Sequence, residues 1–266
     1  VFRIIKKLFK VNNFIIHSFW LTDAAMAGHI INKKYNAKHI CTCMGQDVKS
    51  DNRIFNFLDL DSITTITLSK NQDDVFFEST GKNADHIIPL PLPYIDTTII
   101  NKEKDIDILF VGSFIPVKHP ELFISIMKKL QEEFPFIKAV MIGDGTLFEN
   151  MKQIINAENL NDTIQLAGKL ERKDVFDYMH RSKILLHTSE YEGQCLVFSE
   201  ALAHGMYVVS GHVGRIEDSE KHIIGWSEEE LFLKCKELLR ADLRFHPYQS
   251  LDTNEIIEQY LAIYNS

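Results

Sequence analysis

The stretch SEYEGQCLVFSEALAHG, residues 189–205, directly follows the strand-like run KILLH at residues 183–187. It carries two glutamates, Glu192 and Glu200, on either side of a predicted helix start near Leu196. A loop carboxylate and a second one inside the following helix can face one crevice above the strand ends, where open α/β sheets bind ligands. The stretch therefore predicts a strand, loop and helix of a parallel sheet with a binding site at its end.

The residues around the two glutamates suit a ligand that carries hydroxyl and phosphate groups. Gly193 lets the backbone approach a ligand closely, and the helix start offers N–H groups and a positive dipole end to a diphosphate. A carboxylate accepts two hydroxyls at once, so Glu200 suits a ribose diol and Glu192 a hexose diol. The alternative is two ordinary surface glutamates. The preceding strand, the intervening glycine and the ending ALAHG favour the functional interpretation.

Composition limits the class of protein. The 266 residues suffice for one large or two small domains. No apolar run is long enough to span a bilayer, and the net charge of −8 argues against a broad nucleic-acid-binding face. None of the four cysteines forms a C-x-x-C pair, and Cys41 and Cys43 lie in a strand-like segment. This usage predicts reduced thiols and a cytoplasmic protein.

Strand and helix patterns alternate along the chain, which predicts an α/β fold with parallel sheets covered by helices on both faces. Strands are predicted at residues 14–17, 38–43, 63–68, 85–88, 107–112, 138–143, 164–168, 183–187 and 207–210. Helices are predicted around residues 20–34, 71–78, 172–180, 196–204, 228–240 and 253–264, with a further one opened by Pro120. Three prolines within residues 89–93 predict an extended connector between two domains.

From about residue 107 to residue 214 the chain resembles the nucleotide-sugar-binding domain of glycosyltransferase family 4, the retaining group 1 enzymes with the GT-B fold. The two glutamates match the E-x7-E motif of that family. Three more segments agree in order and spacing: VGSFIPVK at 111–118, MIGDG at 141–145 and AGKL at 167–170.

The resemblance implies an enzyme that moves a sugar from a nucleotide-diphosphate sugar to a glycan or lipid-linked acceptor. It assigns catalytic roles to Glu192 and Lys118, and it implies neither a metal nor a cofactor. Two D-x-D triplets, at residues 59–61 and 105–107, flank strands and are not expected to bind metal. The donor contacts that it implies are Glu200, Gly193, Gln194, Cys195, Leu196, Gly112, Ser113, Gly143, Gly168, Lys169 and Leu170.

The first part of the chain resembles the second half of the acceptor domain of the family. His17 and Gly45 are the acceptor-side candidates. The first half of that domain, with its glycine-rich loop, has no counterpart here. We therefore expect two Rossmann-like domains of the GT-B type, the N-terminal one partial. The expected parts are residues 1–97 on the acceptor side, residues 98–250 binding the donor, and a helix at 251–266 that returns to the first domain.

Two positions depart from the family pattern. Ser113 stands where an arginine for the diphosphate is expected, so Lys169, Arg172 or Arg215 would have to supply the missing charge. Met44 stands where the family often has a histidine, and a methionine cannot hydrogen-bond a sugar hydroxyl as histidine does.

Alternatives follow from these departures. One is a non-catalytic protein that binds sugar nucleotides, and another is a different GT-B enzyme such as a nucleotide-sugar epimerase.

Family frequency suggests surface polysaccharide or glycan synthesis. The basic amphipathic segment at residues 2–10 could lie on the inner membrane surface, although we prefer a helix packed into the core.

Overall fold

The computed structural model describes residues 14–92, 95, 103–217, 219–249 and 251–266. The segment at residues 2–10 lies outside these ranges. The described residues alternate strand and helix, and all strand pairs are parallel, so the predicted α/β class is confirmed. Within the described part of the chain, no helix combines the length and apolar composition needed to cross a bilayer.

The chain divides into two compact units. One takes the residues up to Pro91 together with Glu192–Gln194 and Thr253–Ser266. The other takes Leu92–Tyr191 and Cys195–Asp252. The domain limits predicted from the sequence, at residues 97 and 250, stay predictions.

The first unit is built on four parallel strands in the order β1-β2-β3-β4. The strands are β1 (Ile15–Phe19), β2 (Lys38–Thr42), β3 (Thr64–Thr67) and β4 (His86–Ile87). Its helices are α1 (Asp23–Tyr35), α2 (Lys70–Thr80) and the last helix of the chain, α8 (Thr253–Asn265). Ser69 caps α2, because its Oγ accepts a hydrogen bond from the N–H of Gln72 at 3.1 Å.

His17, in the middle of β1, links this sheet to α8 by a hydrogen bond. Its Nδ1 lies 2.7 Å from the hydroxyl of Tyr264, and its Nε2 lies 2.8 Å from Oγ1 of Thr42. Its ring also stacks on Phe19 at 4.4 Å between centroids. Burial lowers the pKa of His17. These contacts make His17 a packing residue, and the acceptor role that we expected for it stays a prediction.

The second unit is built on six parallel strands in the order β10-β9-β8-β5-β6-β7. The strands are β5 (Ile106–Val111), β6 (Ala139–Ile142), β7 (Ile164–Gly168), β8 (Ser182–His187), β9 (Tyr207–Ser210) and β10 (His222–Ile224). The helices are α3 (Pro120–Glu133), α4 (Phe148–Ala157), α5 (Arg172–Arg181), α6 (Leu196–Ala203) and α7 (Glu228–Arg240). Two apolar clusters pack against the strands of this sheet, and the larger one contains most of the buried side chains of α3.

The predicted elements of both units are found within a few residues of their expected places, and three features were not predicted. Helix α4 begins after Leu147, which makes no side-chain capping bond among the described residues, so the usual start signal is missing. Strand β10 has three residues, too few for a clear alternation. A run of short 3₁₀ turns lies between residues 46 and 62.

Candidate functional site

The loops at the carboxyl ends of β5, β6 and β7 form a continuous rim in the second unit. The N–H of Gly112 donates to the carbonyl of Ile142 at 3.0 Å, and the N–H of Gly143 donates to the carbonyl of Gly168 at 2.9 Å. These bonds bring together three of the predicted donor-binding glycines. Ser113 is exposed beside Gly112, as Lys169 is beside Gly168.

Only glycine fits at position 143 of this rim. Its φ is 146°, and a Cβ added there would lie 1.9 Å from the carbonyl oxygen of Gly112. A side chain would therefore push the ends of β5 and β6 apart. The glycine predicted from the sequence is required by a close approach between two backbone segments.

The loop after β5 is also tied to the loop after β8. The hydroxyl of Thr188 donates to the carbonyls of Lys118 at 3.0 Å and His119 at 2.9 Å. The N–H of Glu190 donates to the carbonyl of Val117 at 2.9 Å. The backbone of Lys118 is thus held by the loop that opens the E-x7-E stretch, while its half-buried side chain stays on the same rim.

Helix α6 starts on this edge of the sheet. Its preceding residue, Cys195, has a φ of 64°, in the left-handed region that is uncommon for residues with a side chain. The Sγ atom of Cys195 lies 3.5 Å from Nε2 of His187, the last residue of β8. The first residues of the helix are Leu196, Val197 and Phe198, whose side chains carry no oxygen to compete for the N–H groups. The N–H of Phe198 donates to the carbonyl of Cys195 at 3.1 Å, so the N–H groups of Leu196 and Val197 are the ones that can serve an anion.

Glu200 lies one turn further along α6 and is paired with Arg172, the first residue of α5. The guanidinium donates to the carboxylate, whose side chain is 13% exposed while that of Arg172 is 54% exposed. Burial raises the pKa of Glu200, and the charge and hydrogen bond of Arg172 act in the opposite direction. Arg172 also lies over the ring of Phe176, with its central carbon 5.3 Å from the centroid.

A second buried carboxylate, Glu217, was not singled out from the sequence. It accepts hydrogen bonds from Ser199 of α6 and from Arg215, and its N–H donates to Nδ1 of His222 at 3.0 Å. The other ring nitrogen of His222 lies 2.9 Å from the hydroxyl of Ser210. Burial lowers the pKa of His222 to about 4. The signal that could have found Glu217 is an acidic residue soon after the predicted strand at 207–210.

The three cations named as substitutes for the missing arginine have different surroundings. Arg215 is ion-paired with Glu217, whose side chain is 1% exposed. Arg172 is ion-paired with Glu200. Lys169 is exposed on the rim at the end of β7.

Glu192, Gly193 and Gln194 belong to the first unit. The carbonyl of Gly193 accepts a hydrogen bond from Oγ of Ser69 at 2.6 Å. A Cβ on Gly193 would lie 2.9 Å from the carbonyl oxygen of Met44 and 3.3 Å from Cα of Gly45. Gly193 is therefore needed for packing against the acceptor-side candidate Gly45, in addition to any approach to a ligand.

The side chain of Gln194 is used for structure. Its Oε1 accepts from the N–H of Leu90 at 2.7 Å, and its Nε2 donates to the carbonyl of Leu90 at 3.0 Å. This two-bond clamp imitates the pairing of two strands. A donor contact of Gln194 would therefore have to come from its backbone.

Comparisons with known proteins identify the family to which this chain belongs. The sequence model of the family described as "Glycosyl transferases group 1" matches residues 96–230, just over half of the chain. A human protein named as a subunit of phosphatidylinositol N-acetylglucosaminyltransferase is 25% identical over 222 residues, which cover 76% of this chain and 46% of that protein. The 2-deoxystreptamine N-acetyl-D-glucosaminyltransferase of Niallia circulans is 24% identical over 226 residues, covering 78% of this chain and 57% of that protein. The chain thus spans about half the length of these curated relatives.

The fold also matches that of a solved structure. HepE from Anabaena, crystallised with UDP and glucose, superposes with a TM-score of 0.80 at 14% identity, covering 99% of this chain and 80% of HepE. This likeness confirms the predicted Rossmann-like units of the GT-B type. Together with the family match over residues 96–230, it shows that the chain belongs to the group 1 glycosyl transferases.

Proposed function

We propose that the chain transfers a sugar from a nucleotide-diphosphate sugar to a glycan or lipid-linked acceptor, with retention of the anomeric configuration. The observation that carries this proposal is the largely buried carboxylate of Glu200 in the first half of α6, paired with Arg172 at the start of the helix that follows β7. A carboxylate so placed can accept both hydroxyls of a ribose. Retention is carried over from the family resemblance.

The nucleotide would lie along the rim formed by the ends of β5, β6 and β7. Gly112, Gly143 and Gly168 leave backbone at the surface there, and Leu170 offers an apolar side chain for a base. Lys169 is exposed at the same end. For Glu200 to take the ribose, Arg172 would share or release the carboxylate, and its guanidinium would then be free to serve the diphosphate.

Departure of the nucleotide diphosphate would be assisted by fixed positive groups. The N–H groups at the start of α6 and the side chain of Lys118 would stabilise the charge that develops when the bond from the sugar C1 to the phosphate oxygen breaks. We propose that these groups replace a metal ion. The acceptor oxygen would form the new bond to C1 and pass its proton to the departing diphosphate oxygen, while Glu192 holds the sugar.

The relatives suggest which donor to test. Two are named as N-acetylglucosaminyltransferases, and HepE was crystallised with UDP and glucose. We propose UDP as the nucleotide, with N-acetylglucosamine or glucose as the sugar. We also propose a cytoplasmic role in surface polysaccharide or glycan synthesis, which the four free cysteines support because thiols persist in reducing compartments.

Release of UDP tests this proposal. The chain is incubated with UDP-N-acetylglucosamine or UDP-glucose, with and without saccharide acceptors, and free UDP is measured. The proposal expects release above the rate without protein and a loss of that activity in Lys118→Ala. Saturable binding of UDP without any turnover would overturn the enzymatic proposal and favour a sugar-nucleotide-binding protein. Absence of both binding and turnover would overturn donor recognition as well.

A further inference from the structure

Trp226 is a large aromatic side chain at the carboxyl edge of the second sheet, and 74% of the residue is exposed. It follows Gly225, the residue after β10, and its ring stacks on that of His212, which lies shortly after β9, with centroids 5.0 Å apart and planes 16° apart. The two rings therefore form one aromatic platform on the ends of adjacent strands. A stacked pair of exposed rings presents a flat face on which a ligand can stack.

Hydrogen bonds hold the backbone on both sides of Trp226. Its N–H donates to the carboxylate of Glu230 at 2.8 Å, and Oγ of Ser227 accepts from the N–H of Glu230 at 3.2 Å. This is a variant of the reciprocal cap that starts helices, and it locks the start of α7. The N–H of Gly225 continues the β-ladder by donating to the carbonyl of Ser210 at 2.9 Å. The platform is thus preorganised.

Packing alone does not account for a tryptophan here. An apolar residue in front of a helix cap commonly packs on the first core residue of the helix, which is Leu231 in this case. Leu231 is 4% exposed, and a smaller apolar side chain could cover it. Most of the indole of Trp226 lies outside that contact.

The charges around Trp226 limit what it can bind. The first turn of α7 consists of Glu228, Glu229 and Glu230. Lys129 is ion-paired with Glu228 and Glu229, and the turn still keeps a net negative charge, which disfavours phosphates, nucleic acids and anionic lipid surfaces. Neutral saccharides fit better, because pyranose rings present C–H groups to an aromatic face and hydroxyl donors to nearby carboxylates.

The sheet order places the platform relative to the proposed donor site. Strands β9 and β10 lie beside β8 on the side away from β5, β6 and β7, whose ends carry the proposed nucleotide contacts. We propose that Trp226, backed by His212, is a stacking subsite for a pyranose ring of a neutral saccharide in the acceptor. This inference rests on the proposed function for its place in the reaction, whereas the binding itself can be measured separately.

Tryptophan fluorescence tests the subsite directly. The chain contains two tryptophans, so Trp20→Phe leaves Trp226 as the single reporter. Titration with N-acetylglucosamine, glucose, cellobiose or chitobiose should change its emission in a saturable way, with a dissociation constant on the order of millimolar. A response to anionic vesicles or to protein concentration, with none to any saccharide, would overturn the proposal.

A variant then separates the two proposals. Trp226→Ala should abolish saccharide binding measured by saturation-transfer NMR, raise KM for a bound saccharide acceptor about tenfold, and leave UDP affinity unchanged. Phe136→Ala is the matched control, because Phe136 is 93% exposed and lies before the amino end of β6. Unchanged saccharide binding in Trp226→Ala would overturn the subsite alone. If the wild-type chain does not bind UDP, that result counts against the proposed function and not against the subsite.

Discussion

Arg172 at the start of α5 is ion-paired with Glu200 of α6, and the carboxylate is much more buried than the guanidinium. The pair joins the residue that the sequence assigned to the ribose with a cation that the sequence offered as a substitute for a missing arginine. It gives the largely buried carboxylate of Glu200 a charged partner. Burial of Glu200 raises its pKa, and Arg172 limits that rise.

Replacing Arg172 should therefore make nucleotide binding more sensitive to acid. In Arg172→Gln the influence that lowers the pKa of Glu200 is lost, so its pKa rises further and its carboxylate is protonated at a higher pH than in the wild type. Loss of the guanidinium can weaken UDP binding at every pH, so the prediction concerns the pH profile: between about pH 8 and pH 6 the affinity of the variant should fall roughly two- to fivefold more than that of the wild type. Calorimetric titration across this pH range measures the effect.

The matched control for this variant is Arg181→Gln. Arg181 lies at the other end of α5 and is paired with Asp105 near the surface, so its loss should leave the pH profile of UDP binding unchanged. Identical pH profiles for Arg172→Gln and the wild type would show that Arg172 does not tune Glu200.

Lys118 should carry more of the diphosphate charge than usual, because Ser113 stands where the family resemblance expects an arginine. We predict that Lys118→Ala weakens UDP binding by about tenfold or more, and that Ser113→Arg strengthens it. Lys138→Ala, an exposed lysine just before β6, is the control. Wild-type affinity in Lys118→Ala would mean that other cations hold the diphosphate.

The two glutamates of the E-x7-E stretch should have different roles, with Glu200 binding the nucleotide and Glu192 the sugar. Glu192→Ala should leave the affinity for free UDP within about twofold of the wild type and lower the release of UDP from the sugar donor by about tenfold or more. The comparison variant is Glu190→Ala, which removes a more exposed carboxylate two residues earlier. If free UDP binding collapses in Glu192→Ala while the chain stays folded, the assigned roles are wrong.

Gly143 should be essential for the rim. Gly143→Ala places a Cβ against the carbonyl of Gly112, and we expect the free energy of unfolding of the second unit to fall by about 2 kcal/mol or more. Gly168→Ala is the control, since its φ of 70° is also left-handed but its Cβ would meet nothing within 4 Å among the described residues. Its cost should be about 1 kcal/mol. Urea unfolding followed by Trp226 fluorescence in Trp20→Phe compares the two.

Much of the fold was predictable because local signals agreed. In α3 the proline at the first position and an apolar stripe predict one buried helix face, made of Leu122, Phe123, Ile126, Met127 and Leu130. The last four side chains are fully buried and Leu122 is partly buried against the same cluster. The family match at residues 96–230 likewise confirms a resemblance that rested on motif spacing.

The contacts between elements could not be predicted. The pairing of Arg172 with Glu200 depends on how α5 and α6 pack, which is a property of the folded sheet. The clamp between Gln194 and Leu90 joins residues that are 104 positions apart. The use of both ring nitrogens of His17 by Thr42 and Tyr264 likewise joins distant segments. Single-sequence patterns report local periodicity, and these contacts have none.

The central claim is that Glu200 holds the ribose of a nucleotide diphosphate at the edge of the second sheet. Calorimetric titration of the wild-type chain and of Glu200→Ala with UDP tests it most directly. A buried carboxylate accepting hydrogen bonds contributes about 1.5–3 kcal/mol, so the variant should bind UDP roughly ten- to a hundredfold more weakly. Equal affinity of the two folded proteins for UDP, or no saturable UDP binding by the wild type, would contradict the account.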